Sequence, residues 1–310
     1  SPDASLDDQK RQRLKRITQS IIGLPTLPTV ITELISLIDN PKTSARNVSQ
    51  LISTDQALTA KILKLANSAF YGFPREIATV QHVVVLGFET VKNLGLSVSV
   101  LERFSGTDAD GSGDEFDRQK FWEHSIACGV AARLLAGKLR YRMSGEAFAA
   151  GILHDIGRLI LSQYFPVEFA EVLSVMREEH LYIGKAEEKV LGVTHADVGS
   201  WLAERWNLPD QLEQAIAMHH TPGRVDGPAE LPSLIHLADF LCRREKIGDG
   251  GGDTLPSLDP AALRAFGIHE EPVAALKRIF GYGDGLNTEM EKAGAFSNIA
   301  RGGDDDGPTE

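Results

Sequence analysis

A histidine and an aspartate stand side by side within an apolar stretch of the chain. His154 and Asp155 lie in the run from Phe148 to Leu161, whose other members are mostly aliphatic residues, alanine or glycine. The pattern predicts one helix over about residues 145–164 that carries both polar side chains near its centre. Buried imidazole and carboxylate groups are costly unless they are paired, hydrogen-bonded or bound to metal. This pair therefore indicates a site where chemistry or metal binding could take place.

Further histidine and carboxylate side chains recur on the apolar faces of helical patterns in the second half of the chain. His124 shares a face with Cys128, His195 opens an inward stripe, and Asp239 falls on the apolar face of its own pattern. A pair of histidines ends another amphipathic pattern at residues 219–220. The candidate metal ligands are His124, His154, Asp155, His195, His219, His220 and Asp239.

Imidazole and carboxylate groups together form a ligand set for divalent iron, manganese, zinc or nickel. Seven ligands exceed the need of one four-coordinate ion, which favours two ions that share a carboxylate, and the prediction is one or two ions. Core histidines that are satisfied by backbone atoms are the alternative, and the spacing alone leaves it open. Di-iron oxygen chemistry is a further, minor alternative. We expect Cys128 to pack rather than to bind metal.

Apolar residues recur at helical spacing through most of the chain, and no segment shows the sustained alternation of a strand. The sequence predicts an all-α multi-helix bundle with an N-terminal helical lobe and a second helical lobe that holds the candidate ligands. The Gly- and Asp-rich stretch Gly106–Asp114 predicts a linker, and Gly248–Gly252 predicts a second flexible insertion. The predicted division is a flexible lead-in at 1–16, the N-terminal lobe at 17–104, a linker loop at 105–117, the second lobe at 118–285 and a disordered tail at 286–310.

Composition limits the classes of partner and compartment. The 310 residues carry a formal net charge of −11, so a nucleic-acid surface driven by electrostatics is not expected. No apolar run approaches the length that a membrane span needs, and the N-terminus lacks a signal-peptide pattern, so no membrane contact is expected. Only two cysteines are present, which fits a reducing compartment. We therefore expect a cytoplasmic protein.

Several motifs resemble those of a known family. The segments Leu24–Pro28, Ser53–Gly72 and Val85–Gly87 are similar to the HDOD domain, an HD-related output domain of bacterial signalling proteins. The order His, His-Asp, His, His-His, Asp resembles the HD superfamily of metal-dependent phosphohydrolases, especially the HD-GYP cyclic-dinucleotide phosphodiesterases. The resemblance runs from about residue 17 to 221, and the ligand order extends it to Asp239. It implies an all-helical regulatory module, generally non-catalytic, whose partners are signalling proteins such as receiver or cyclic-dinucleotide-related domains.

The parts that an HD-GYP enzyme uses for its substrate differ here. The Asp-Gly-x-Gly-Tyr-Pro sequence of that family is replaced by Asp226-Gly-Pro-Ala229, and Arg158 stands where the family has Lys. The acidic ligand expected one turn before the first histidine is Lys120. The resemblance therefore favours a non-catalytic output module that binds partners, with Asn67–Phe73 either a docking surface or a helix stop with buried aromatics. The alternative is a metal-dependent phosphohydrolase in which Arg158 contacts a phosphate.

Overall fold

The computed structural model describes residues 13, 16–20, 23–24, 26–73, 76–85, 87–105, 116–252, 254–280 and 284–302. These residues contain α-helices, turns and one short 3₁₀ turn at Pro222–Arg224, and they contain no strand. The prediction of an all-α fold is confirmed. The helices are α1 (Thr29–Ile38), α2 (Ala45–Ile52), α3 (Gln56–Ala66), α4 (Val80–Val85), α5 (Phe88–Phe104), α6 (Arg118–Lys138), α7 (Ser144–Leu153), α8 (Ile156–Tyr164), α9 (Pro166–Glu178), α10 (Ile183–Val190), α11 (His195–Arg205), α12 (Asp210–Met218), α13 (Glu230–Arg244), α14 (Pro260–Arg264), α15 (Pro272–Phe280), α16 (Asp284–Lys292) and α17 (Gly294–Ala300).

Side-chain caps define the first turns of the two helices that carry His124 and His195. At the start of α6, the carboxylate of Asp117 accepts a hydrogen bond from the backbone N–H of Lys120 at 2.9 Å. At the start of α11, the backbone N–H of Thr194 donates to Asp197 at 2.8 Å, and the backbone N–H of Asp197 donates back to the Thr194 hydroxyl at 3.3 Å. This reciprocal capping box satisfies donors that a helix start leaves unpaired.

The helix predicted over residues 145–164 is interrupted at the His-Asp pair, and this part of the prediction is wrong. Helix α7 ends at Leu153 and α8 begins at Ile156, with His154 and Asp155 in a turn between them. Asp155 has φ −97° and ψ 10°, outside the helical region. The start of α8 packs against the backbone of α11, where a Cβ on Gly157 would collide with the carbonyl oxygen of His195. Tertiary packing therefore ends α7 and re-aims Asp155.

The predicted flexible insertion Gly248–Gly252 is instead packed against the start of α6. The backbone N–H of Asp249 donates to the carbonyl oxygen of Lys120 at 2.9 Å, and Gly250 and Gly251 are buried. Gly248 has φ +64°, and a Cβ there would overlap the backbone of α6. Glycine is needed here for a left-handed conformation and a close approach, rather than for flexibility.

The aromatic connection Asn67–Phe73 ends α3 and packs inward. The side chain of Asn67 donates to the carbonyl oxygen of Ile77 at 2.9 Å and accepts from the N–H of the same residue at 2.7 Å. Phe70 is buried, and the guanidinium of Arg133 lies 4.1 Å from the centroid of its ring. These contacts give the connection a structural role as a helix stop with a buried aromatic ring.

The predicted disordered tail is wrong for residues up to 302, which form α16 and α17. Phe296 is fully buried, with its ring centroid 4.7 Å from that of Phe148 and 5.6 Å from that of Phe70. Leu286 and Ala300 are buried as well. Apolar residues at helical spacing therefore anchor this segment to the core, although the surrounding sequence is polar.

One buried apolar cluster joins residues from the N-terminal helices, the helices of the second half and α17. Residues 106–115 of the linker predicted at 105–117, almost all of the lead-in at 1–16 and the tail at 303–310 lie outside the described residues, whereas Phe116 at the end of that linker is buried. The division into two lobes stays a prediction. Among the described residues, no single helix has both the length and the apolar composition needed to cross a membrane. The consecutive segments 144–164 and 166–178 meet both criteria when taken together, but they are bent by 117° relative to each other.

We predict that Phe296→Ala lowers the free energy of unfolding by about 3 kcal/mol or more, because the truncation leaves a cavity beside two other aromatic rings. Asn298→Ala, an exposed position on the same helix, is the matched control and should change it by less than about 0.5 kcal/mol. Urea unfolding followed by circular dichroism measures both. Equal stability of the two variants would show that α17 is not anchored to the core.

Candidate metal centre

The structure brings all seven candidate ligands into one region between α6, α7, α8, α11, α12 and α13. The imidazole and carboxylate groups are buried, except for that of His220, which is half-buried. Their ligand atoms form two adjacent groups whose members lie within 4.8 Å of one another. The first group is His124, Cys128, His154 and Asp239, and the second is Asp155, His195, His219 and His220.

Asp155 lies at the centre of this arrangement. Its Oδ1 atom is 3.1 Å from Nε2 of His195, 3.5 Å from Nε2 of His154 and 3.6 Å from Nε2 of His219. The turn between α7 and α8 allows His154 and Asp155 to face the same space although they are adjacent in sequence. One carboxylate oxygen therefore faces imidazoles from three different segments of the chain.

Hydrogen bonds at the other ring nitrogen fix the orientation of these imidazoles. Nδ1 of His154 donates to the carbonyl oxygen of Gly151 at 2.7 Å, and Nδ1 of His219 donates to that of Ile216 at 2.7 Å. Nδ1 of His195 lies 2.7 Å from a carboxylate oxygen of Glu187. When the ring is neutral and Nδ1 carries the proton, Nε2 has the free lone pair, which is the tautomer that metal-binding histidines adopt.

Asp239 and His124 form the other half of the centre. Oδ1 of Asp239 lies 3.0 Å from Nε2 of His124 and 3.8 Å from Nε2 of His154. The sulfur of Cys128 lies 3.4 Å from Nε2 of His124, nearer to the ligands than we expected for a packing residue. Burial raises the pKa of the Cys128 thiol well above its usual value, so without a metal ion it stays protonated.

Arg158 is buried within the centre, which is not where a residue that contacts an incoming phosphate is expected. One of its terminal nitrogens, Nη1, lies 3.0 Å from Oδ2 of Asp155 and donates to the carbonyl oxygen of Asp249 at 2.9 Å. The side chain has no solvent exposure. Lys120 stands where the resemblance to HD-GYP enzymes would place an acidic ligand. Its side chain is exposed, and its Nζ atom lies 3.9 Å from Oδ2 of Asp117.

Three residues of the centre were not among the sequence-predicted ligands. Glu187 is buried beside His195, Arg243 donates from Nε to Oδ1 of Asp239 at 2.7 Å, and the hydroxyl of Tyr182 lies 2.5 Å from Nε2 of His220. Glu187 falls on the inward face of α10, so helical periodicity could have indicated it. Arg243 follows Asp239 by one helical turn, which is also a readable signal. Nothing in the sequence pattern singles out Tyr182.

The electrostatic environment keeps both aspartates ionised. Burial alone would raise the pKa of Asp155, but the charges of His154 and His195 outweigh it and hold this pKa well below its usual value. Burial acts in the same direction on Asp239, where Arg243 above all keeps the pKa well below its usual value. The centre therefore contains two anionic oxygens that are shielded from water.

The imidazoles differ in their affinity for protons. Burial lowers the pKa of His219 to about 4, so this ring is neutral near pH 7. Burial would also lower the pKa of His195, but the carboxylates of Glu187 and Asp155 outweigh it and raise this pKa to about 9. Without a metal ion, His195 therefore carries the positive charge that balances Asp155.

The donor set fits a divalent metal ion. Nε2 of His154, Nε2 of His219 and Oδ1 of Asp155 are buried and make no hydrogen bond among the described residues, although Oδ1 of Asp155 lies 3.1 Å from Nε2 of His195. Buried polar atoms without a partner are costly, and they are rare in folded proteins. Neutral imidazole and ionised carboxylate groups are the donors that iron, manganese, zinc and nickel accept. A bound ion would give such atoms the partner that the protein does not supply.

We predict that the stability of the metal-free protein falls as the pH rises from 6.5 to 9. The raised pKa of His195 means that the unfolded chain loses its proton near pH 6.5 and the folded chain near pH 9, so the stabilisation is complete below 6.5 and lost through this window. The loss is at most about 3 kcal/mol, since one pKa unit corresponds to about 1.4 kcal/mol. Glu187→Gln should flatten the pH dependence because it removes the charge beside Nδ1 but keeps an acceptor oxygen.

Denaturant unfolding in the presence of a chelator, repeated across this pH range, measures the effect. The matched control is Glu188→Gln, an exposed neighbour that pairs with Lys185 at 2.7 Å and should leave the pH dependence as it is. A pH dependence that is the same in wild type and Glu187→Gln would show that Glu187 does not set the charge of His195.

Several solved structures share this fold. An HDOD domain protein of unknown function from Geobacter sulfurreducens has 24% identity and a TM-score of 0.68, over 93% of this chain and 97% of that one. A proposed signal transduction protein from Marinobacter aquaeolei VT8 has 25% identity and a TM-score of 0.70, and the match covers 97% of this chain and 66% of that one. A proposed metal-dependent phosphohydrolase from Shewanella amazonensis SB2B has 19% identity and a TM-score of 0.59, and the match covers 94% of this chain and 99% of that one.

A sequence relative extends the comparison. An uncharacterized protein of Treponema pallidum (strain Nichols) is 28% identical over 236 residues, which are 76% of this chain. The chain spans only 44% of the length of that relative. The HDOD domain family matches residues 24–222. Because this match covers more than half of the chain, the protein belongs to the HDOD domain family.

Proposed function

We propose that this chain is a non-catalytic regulatory module of bacterial signal transduction, whose buried centre holds a divalent metal ion as part of its structure. The observation that carries the proposal is the closure of the centre. Asp155 and the three imidazoles that face it have no solvent exposure. A phosphodiester has to reach a metal-bound oxygen to be hydrolysed, and catalytic metal sites keep a position open for this purpose.

The closure has identifiable parts. The segment Gly248–Gly252 lies across the start of α6, and a Cβ on Gly250 would be 3.0 Å from Cε1 of His124. Asp249 is fixed to the centre through Arg158, which donates to its carbonyl oxygen. On the side of His220, the hydroxyl of Tyr182 lies against the ring. A metal site closed in this way corresponds to a structural site.

A bound ion would act mainly on stability. The unfolded chain does not present these ligands together, so an ion that binds only the folded chain stabilises it. Asp155, His195, His219 and His220 would hold the ion, and His154 faces both aspartates. Glu187 and the carbonyl oxygens of Gly151 and Ile216 orient the rings of His195, His154 and His219. Divalent iron, manganese, zinc and nickel all accept this donor set.

The regulatory role is supported by the family and by one structural relative. The Marinobacter aquaeolei protein, proposed to act in signal transduction, extends beyond the part that this chain matches. We propose that the partners are bacterial signalling proteins, such as receiver or cyclic-dinucleotide-related domains, in the cytoplasm. The two cysteines, which are both buried and unpaired, are compatible with that reducing compartment. Calorimetric titration of the chain with purified receiver domains tests the partner class, and absence of heat with every receiver domain tried counts against it.

A metal-dependent phosphohydrolase is the second candidate. Its support is the division of the ligands into two groups on either side of Asp155, together with the name given to the Shewanella amazonensis relative. Binding metal ions requires only the ligands, whereas phosphoryl transfer also requires charged groups placed around the substrate. Here Arg158 is committed to Asp155 and Asp249. We therefore rank this candidate below the regulatory module.

We predict that added Mn²⁺ or Zn²⁺ raises the melting temperature of the metal-free protein, because only the folded chain presents the ligands. The expected stabilisation is about 2.7 kcal/mol at a free metal concentration of 100 times Kd. His154→Ala should abolish most of this rise. His269→Ala, which changes an exposed histidine far along the chain, is the control and should respond as wild type does. Elemental analysis that finds no ion after supplementation, with no thermal shift, would contradict the metal-holding function.

We predict that the metal-loaded protein does not hydrolyse cyclic di-GMP or bis(p-nitrophenyl) phosphate. The reason is that neither substrate can reach the buried Asp155 and its imidazoles. Product release followed by chromatography and absorbance measures turnover, with His154→Ala as the blank for contaminating enzymes. Turnover that disappears in His154→Ala would overturn the non-catalytic assignment and promote the phosphohydrolase.

A further inference from the structure

Two guanidinium groups lie inside the metal centre. Arg243 is 7% exposed, and its Nε donates to Oδ1 of Asp239 at 2.7 Å, while its Nη2 lies 3.7 Å from Oδ2 of Asp155. Arg158 lies on the same Oδ2 atom, with its Nη1 3.0 Å away. Each aspartate of the centre therefore already faces at least one permanent positive charge, since arginine does not lose its proton in proteins.

We propose that Arg243 takes the place of a second metal ion, so that the centre holds a single divalent ion in the half formed around Asp155. This inference rests on the metal-holding function proposed above and adds to it the number of ions and the half of the centre that is used. Asp239, the last carboxylate of the ligand set, then serves as the counter-charge of Arg243 and as the acceptor of His124. The ion would be held by Asp155, His195, His219 and His220, whose ligand atoms lie within 4.8 Å of one another, with His154 between the two halves.

The distribution of hydrogen bonds separates the two halves. In the half around Asp155, the Oδ1 atom of this residue and the Nε2 atom of His219 have no hydrogen-bond partner among the described residues, and Nε2 of His195 has only that of His220, at 2.8 Å. Nε2 of His154, which lies between the halves at 3.5 Å from Oδ1 of Asp155 and 3.8 Å from Oδ1 of Asp239, has no hydrogen-bond partner either. In the other half, Oδ1 of Asp239 already has Nε of Arg243 at 2.7 Å and Nε2 of His124 at 3.0 Å. The carboxylate oxygen of Asp155 therefore has no hydrogen bond to lose when an ion binds, whereas the Oδ1 atom of Asp239 already accepts from Arg243.

The charge balance leads to the same number of ions. Two carboxylates lie in the centre itself, and two more contact it, because Glu187 pairs with His195 at 2.7 Å and Asp249 lies 3.7 Å from Arg158. These four negative charges exceed the two positive charges of the arginines by two, when the histidines are neutral as metal ligands must be. One divalent ion neutralises this excess. A second ion would leave two positive charges without compensation in a buried site, which is strongly unfavourable.

Metal stoichiometry tests the inference. The full chain is freed of metal with a chelator, loaded with Mn²⁺, desalted, and analysed for manganese per chain by mass spectrometry. We expect one ion per chain in wild type and a rise toward two in Arg243→Gln, which removes the charge but keeps a polar side chain. Arg243→Lys should stay at one because the charge is kept. The matched control is Arg244→Gln, since Arg244 lies next to Arg243 on α13 but pairs with Glu245 at 2.8 Å.

Electron paramagnetic resonance gives an independent readout. One isolated Mn²⁺ ion produces a six-line spectrum, and two ions that share a carboxylate produce an exchange-coupled spectrum. We expect the isolated type in wild type and the coupled type in Arg243→Gln. Two ions in wild type would overturn the inference and leave the metal-holding function intact, whereas no ion in any variant would contradict that function itself. One ion in a folded Arg243→Gln would show that Arg243 does not limit the number. If Arg243→Gln does not fold, the stoichiometry of wild type and of Arg243→Lys decides.

Discussion

The carboxylate of Asp155 is the constraint on which the rest of the centre depends. It has no solvent exposure, and burial of an ionised carboxylate is strongly unfavourable unless opposite charges and donors surround it. Three imidazoles face its Oδ1 atom, and two guanidinium groups face its Oδ2 atom. These partners come from α8, α11, α13 and the turns that end α7 and α12. The packing of those segments and the ionisation of one side chain are therefore mutually dependent.

The contact between α8 and α11 explains how these partners converge. Gly157 brings the start of α8 against the carbonyl oxygen of His195, at a distance that no other residue permits. The same contact interrupts the long helix that the sequence pattern predicts and turns Asp155 toward His195. The interruption leaves His154 and Asp155 outside regular helix, so part of the helical hydrogen bonding is lost there. The carboxylate–imidazole contacts at the centre compensate for that loss, so the irregular backbone and the polar cluster belong together.

Much of the architecture could be predicted from the sequence, because helical periodicity reports which face of each segment is buried. It indicated the all-α fold and grouped the seven residues that the structure brings together. It did not indicate the break after Leu153, since the break is caused by a distant backbone contact rather than by local propensity. Gly248–Gly252 was misassigned because glycine composition is the same for a flexible loop and for a tightly packed one. The helix around Phe296 was not predicted because the segment has few apolar residues among many polar ones, and its composition is therefore similar to that of a disordered tail.

Closure of the centre changes what its ligands can achieve. The affinity for an ion depends on the identity and orientation of the donors, and Glu187, Gly151 and Ile216 provide that orientation from within the fold. Catalysis depends additionally on an open coordination position and on a path for the substrate. Asp249, held by Arg158 and by the backbone of α6, belongs to the segment that covers the centre beside His124. Arg158 and Arg243 also lie against the carboxylates of Asp155 and Asp239, so the protein interior itself supplies part of their charge compensation. A set of metal ligands is therefore not sufficient evidence of hydrolysis, because ligand identity and substrate access are separate properties of the fold.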